Sequence, residues 1–266
     1  MELDISTFGK LWALVLRELR NWIRSPILAV TFFVGPLIWI FVFGNAFNAA
    51  FFASGSGVSS LQGAPDYFNF LATAMFVVLP MAFANRTGAS IFADRFKGYL
   101  DRLLVSPTSR ETIVFSKICG GIILGFTQVV ILMILTVPVG LELSNITIAR
   151  IALLLASILL VSYGYSSIFL MISMRIKRWP TQQLIGSMLV TPIMFLSNAF
   201  YPESRIPILI RWLVSLNPVS YGIVLSRDAF FEVSIPIQTI ELNLGALVLF
   251  AALISIVLVF TSRKLL

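Results

Sequence analysis

The chain has no histidine and a single cysteine, Cys119, in 266 residues. Without histidine the usual general base is missing, which excludes hydrolases built on Ser/His or Cys/His pairs. Metal sites made from Cys and His clusters are excluded as well, and one cysteine forms no intrachain disulfide. Cys119, beside Gly120 and Gly121, reads as a small packing residue. Charge is scarce too: 12% of residues are charged and 58% hydrophobic, whereas a soluble domain carries about 25% charged residues. No Gly-rich phosphate loop ends in Lys-Ser or Lys-Thr, so ATP hydrolysis by that route is absent from this chain.

What is present is a series of long apolar runs. Six lie near 27–47, 67–93, 113–140, 149–174, 183–201 and 243–262, each near the roughly 20 residues a bilayer requires. The expected fold is therefore all-α and polytopic, one transmembrane domain over 1–266. The 26 residues before the first run contain Glu2, Asp4 and a patterned helix, unlike a cleaved signal peptide. Phe8, Leu11, Trp12, Val15, Leu16, Leu19, Trp22 and Ile23 recur at helical spacing, with Lys10, Arg17, Arg20 and Arg24 off the stripe. This predicts an amphipathic helix at the membrane surface, acting as an anchor or also touching a cytoplasmic partner.

The net charge of +7 follows the loops. Fourteen of the 19 basic residues fall in the N-terminal segment, the loop after run two, the loop after run four and the C-terminus. By the positive-inside rule both termini are cytoplasmic, and the basic balance reflects membrane orientation with no call for nucleic acid.

The densest island, Asp94–Lys117, holds five basic and three acidic residues. Phe96, Tyr99, Leu100, Leu103 and Leu104 form an apolar stripe in it, Pro107 ends the helix, and Thr108-Ser109-Arg110-Glu111 resembles a capping box. A short amphipathic helix in a basic loop offers a docking surface. On the opposite side, Asn48–Asp66 is an Ala/Gly/Ser-rich loop, and residues 202–232 contain two short apolar stripes broken at Asn217-Pro218. Trp212 and Tyr221 lie on those stripes, while Arg205, Arg211, Arg227 and Asp228 make full crossing costly, so a re-entrant hairpin in the outer leaflet is predicted.

No Asp or Glu lies inside a run, which argues against ion-coupled carriers, although unwound carbonyls can also bind sodium. The one intramembrane charge, Arg86, follows Asn85. It either snorkels to the surface or meets an anionic headgroup or phosphate from the inner leaflet. Asn69, Thr127, Gln128, Thr191, Phe195 and Asn198 either line a path or join helices, and Gly35-Pro36, Pro80, Pro138 and Pro192 either kink runs or mark their ends. Of these, Asn85, Arg86, Gln128, Phe195 and Asn198 are the candidate path residues.

Two segments carry a family resemblance. ADRFKGYLDRLLVSPTSRETIVFSK (93–117) and FLSNAFYPESRIPILIRWLVSLNPVSYG (195–222) resemble the most recognisable stretches of ABC-2-type permeases, the membrane subunits of ATP-binding-cassette exporters, in particular the daunorubicin-resistance and nodulation-factor groups. The order of charges and runs agrees along nearly the whole chain. The resemblance implies a homo- or heterodimer of six-span subunits in a prokaryotic cytoplasmic membrane, with two separate ATPase subunits that bind ATP and Mg; no cofactor is implied in this chain. It also implies a coupling helix at 94–105, seated on the ATPase through Phe96, Lys97, Tyr99, Leu100, Arg102, Leu103 and Leu104, and an outer re-entrant hairpin around Asn217 and Pro218. Family members often have Gly where this chain has Asn198, which bears on the cargo: a drug, a lipid, or a lipid-linked oligosaccharide. The Ala/Gly/Ser loop offers no aromatic platform for sugar. A membrane scaffold or sensor docking a regulator is the rival from another class.

Overall fold

In a computed structural model, residues 7–24, 30, 34–53, 61–106, 108–143, 145–202, 206–232 and 236–265 are described. Among them every regular element is helical. Residues 25–29 and 31–33 of the first expected span, Pro107 and Arg205 lie outside the described residues.

The helices are α1 (Thr7–Ile23), α2 (Gly44–Ala53), α3 (Tyr67–Phe96), α4 (Tyr99–Leu104), α5 (Arg110–Thr136), α6 (Ile148–Arg175), α7 (Trp179–Phe195), α8 (Ile208–Leu216), α9 (Pro218–Phe231) and α10 (Ile237–Leu265). A π-helical turn, Ile38–Phe43, leads into α2. Among the described residues four helices are long and apolar enough to cross a bilayer: α3, α5 with its extension to Val139, α6 and α10. α8 and α9 meet at 86° and would make a fifth span only if counted together. The run expected at 183–201 is helical only to Phe195, about 26 Å, slightly less than the roughly 30 Å hydrocarbon core. Pro192 lies near its end, and the chain turns through Leu196–Phe200.

α3 is the central post. Asp66 caps it by accepting the Asn69 N–H at 2.7 Å, and Gly98, at φ +66°, separates it from α4. Most of its side chains are buried. α6 crosses it closely at Gly88, where a Cβ would strike the Phe169 carbonyl and Ser173 of α6. Gly121 of α5 meets Thr87, and Gly186 of α7 meets Asn85. Small residues at crossings let membrane helices gain packing contacts where the hydrophobic effect supplies no drive. Within the helices, Thr73, Ser173 and Thr136 donate back to Asn69, Phe169 and Leu132 carbonyls, so their hydroxyls are satisfied without water.

α1 departs from the single-stripe expectation. Val15 is buried, and Leu14, Leu19 and Trp22 pack inward against the bundle. Phe8, Trp12, Leu16 and Ile23 remain exposed. Eight apolar residues cover too wide an arc for one surface, so the helix has a protein side and a free side.

Candidate functional site: the basic end and the outer bend

At the basic end the island folds back on the bundle. Ser109 caps α5, accepting the Thr112 N–H at 3.2 Å, one residue later than the box expected from Thr108. α4 occupies the gap between α3 and α5. Leu100 and Leu103 are only 2% and 9% exposed and pack among Ile91, Ile113, Val114, Ile118, Leu170, Met174 and Leu258. The expected docking face is therefore corrected: these two leucines belong to the chain's own core. Tyr99 also packs there, and the Leu104 side chain lies outside the described residues. Exposed instead are Phe96 (79%), Val105 (87%), Lys97, Asp101 and Arg102. Phe96 stacks on Phe92, which meets Trp179 at the start of α7 with ring centroids 5.5 Å apart.

Beneath α4 lies an ionic cluster that the sequence reading did not find. Lys117 of α5 is 2% exposed. Its ammonium donates to Asp94 of α3 at 2.6 Å, to Glu18 of α1 at 3.1 Å and to the Ser90 hydroxyl at 3.2 Å. Arg17 of α1 bridges the same two carboxylates and lies 4.1 Å over the Tyr99 ring. Burial works against the Arg17 charge, but hydrogen bonds to Glu18 and Asp94 outweigh it and hold the guanidinium above its ordinary value. Two cations and two anions thus balance, as a buried cluster requires, and they tie α1, α3, α4 and α5 together. Arg95 adds α6 by donating to the Met174 carbonyl at 2.7 Å.

At the opposite end, Asn217 holds the bend between α8 and α9. Its amide donates to the Ile193 and Leu196 carbonyls at 2.7 and 2.9 Å, and its oxygen accepts from Val219 N–H and the Tyr165 hydroxyl. Pro218 then occupies the first turn of α9, where its missing N–H costs nothing. Trp212 is exposed on α8, and Tyr221 donates to the Ser215 carbonyl. Arg227, counted among the charges too costly to cross, is 1% exposed inside the protein. It donates to the carbonyls of Phe70 and Ala199 and to Gln62, and stacks 3.5 Å over the Phe70 ring.

The five candidate path residues are not brought to one surface. Gln128 and Asn198 are buried, Asn85 faces Gly186, and Arg86 is exposed on α3. Phe195 joins an aromatic cleft of about 150 Å³ lined by Trp39, Phe43, Phe47, Tyr67 and Phe200 among others. Three separate stretches of chain, 39–47, 67–71 and 195–201, build that cleft, so no local pattern announces it. Asn69 is a staple: it donates to the Gly140 carbonyl and accepts the Glu142 N–H.

A bundle of long apolar helices with a short helix folded against its basic end defines a multi-span membrane protein. The sequence profile of the ABC-2 type transporter family matches residues 9–231, and the chain belongs to that family. It is similar to a transport permease, ycf38, of Cyanophora paradoxa, at 29% identity over 80% of this chain and 71% of the relative. The inner membrane transport permease YadH of Escherichia coli is 24% identical over 88% of this chain and 85% of its own. The daunorubicin resistance ABC transporter permease DrrB1 of Streptomyces coeruleorubidus is 21% identical over 84% and 74%. The chain is thus a transport permease of the membrane, as the two quoted motifs imply.

Proposed function

We propose that this chain is the membrane subunit of an ATP-binding-cassette exporter, working as a homo- or heterodimer above two separate ATPase subunits. Six spans with both termini cytoplasmic, in a prokaryotic cytoplasmic membrane, complete the reading. The observation that carries it is α4: a six-residue helix locked into the bundle by Leu100 and Leu103, with its Asp101 and Arg102 and the flanking Phe96 and Val105 left outward. A helix anchored in this way transmits force, because a push on its outer rim moves the core beneath it. Two routes leave it. Tyr99 and Arg17 lead to α1, α3 and α5, and Phe96–Phe92–Trp179 leads to α7. ATP-driven closure of the ATPases would press on the rim, and the tilt of α3 and α7 would open a path outward.

The cargo is an amphipathic drug or lipid. A lipid-linked oligosaccharide is the second reading, and the aromatic cleft favours it, since ring faces stack on sugars and the loop no longer has to provide the platform. A scaffold that merely docks a regulator would need no cluster running through four helices. The test is co-expression with candidate ABC ATPases from the same genome, followed by reconstitution in vesicles. The complex is expected to copurify and to hydrolyse ATP faster with one class from a panel of drugs, lipids and lipid-linked sugars. No ATPase in the purified complex would overturn the reading.

A further inference from the structure

Three cations within the bundle can be compared. Lys117 is held by two carboxylates, and Arg227 by carbonyls, a glutamine and a ring. Arg86 has neither arrangement. Arg86 joins none of the ion pairs made by Arg17 and Lys117, and its guanidinium lies 5.8 Å from the centroid of the Phe83 ring.

Its direction is informative. Arg86 lies ten residues before the end of α3, about 15 Å from the basic end along the helix. A snorkelling arginine extends toward the nearer surface. Phe83 is one turn toward the middle of the bundle, and the guanidinium lies beside its ring. Three sides of α3 at this level are closed: Thr87 meets Gly121, Gly88 meets the Phe169 carbonyl, and Asn85 meets Gly186. Arg86 projects on the fourth side. Ala82, Ala89 and Ala93, four residues before and three and seven after it, share that stripe and are half-buried, leaving a shallow track toward the basic end. The neighbouring Asn85 keeps a buried oxygen without a hydrogen-bond partner.

A cation at membrane depth is costly without an anion, and no described residue supplies one. We propose that Arg86 recognises the phosphate of an anionic amphiphile that enters from the basic-end leaflet along the Ala82–Ala93 track. The guanidinium fork matches two phosphate oxygens, and Phe83 holds its plane in place. The proposal rests on the exporter reading for its purpose, naming the class of cargo, but its test needs no ATPase.

The purified full-length chain is placed in phosphatidylcholine vesicles containing phosphatidylglycerol, extracted, and examined by native mass spectrometry for retained lipid. Wild type is expected to retain phosphatidylglycerol over phosphatidylcholine. Arg86→Gln should lower that retention about tenfold, Arg86→Lys should lower it less, and Lys177→Gln in the exposed loop between α6 and α7 should not change it. Displacement of the lipid by millimolar inorganic phosphate would assign the site to free phosphate, and retention in its presence to the lipid headgroup; both support phosphate recognition. Equal retention by wild type and Arg86→Gln would overturn it. So would a fall in lipid-free thermal stability for Arg86→Gln, because removal of an unpaired charge should raise that stability. A chain that passes this test yet binds no ATPase would refute the exporter reading alone.

Discussion

Lys117 and Arg227 are both fully buried cations, one at each end of the bundle, and they are satisfied in opposite ways. Lys117 sits among carboxylates from two other helices, Asp94 and Glu18, with Arg17 completing the set. Arg227 meets the backbone carbonyls of Phe70 and Ala199 and the neutral Gln62. Full charges exchange partners at moderate cost while any of the set remains in reach, whereas carbonyls fixed in helix ends and turns do not move with a side chain. The basic end is thus a cluster that joins four helices, and the Asn217 bend at the other end is a clamp on one arrangement.

The largest expected effect breaks the first half of this comparison. Lys117→Met leaves Glu18 and Asp94 with Arg17 as their remaining cation, and loss of one partner from a buried ion cluster costs about 3–5 kcal/mol. Thermal unfolding in detergent should show it, with Lys117→Arg recovering most of the loss. Equal stability of Lys117→Met and wild type would mean that the cluster contributes nothing. Arg227→Met should cost less, about 1–3 kcal/mol, because its direct hydrogen-bond partners are neutral acceptors. If Arg227→Met proved the more damaging of the two, the contrast between the ends would be reversed. Smaller again is Tyr165→Phe, which removes the 3.0 Å hydrogen bond to Asn217. About 0.6–1.7 kcal/mol is expected, the range for such bonds between membrane helices, together with faster proteolysis near 217 if the bend loosens.

The two ends also differ in how far the sequence discloses them. The Asn217-Pro218 break and the runs near 67–93, 113–140, 149–174 and 243–262 are local signals, and the structure has helices close to where the pattern puts them. The role of Asn217 is not local: its partners Ile193, Leu196 and Tyr165 are 21 or more positions away. Glu18 and Lys117 are 99 positions apart, so a chain read residue by residue shows an isolated lysine in a basic loop. The stripe of Leu100 and Leu103 is legible as apolar, but periodicity does not state whether the chain itself or a partner covers it. Here α3, α5, α6 and α10 cover it, and the rim with Asp101, Arg102 and Val105 stays exposed. α7 reads as a full span because apolar residues continue through Ala199 and Phe200, yet the helix ends at Phe195.

That reassignment is the centre of the account, and capture of the ATPase by purified permease variants tests it most directly. Phe96→Asp combined with Val105→Asp changes two exposed side chains; this variant should accumulate and unfold like wild type but capture little ATPase. Leu100→Asp places a charge in the core and should fail to accumulate as folded protein. Full ATPase capture by the Phe96/Val105 variant, or a stable Leu100→Asp permease that alone loses capture, would return the docking face to the leucine stripe and contradict the account.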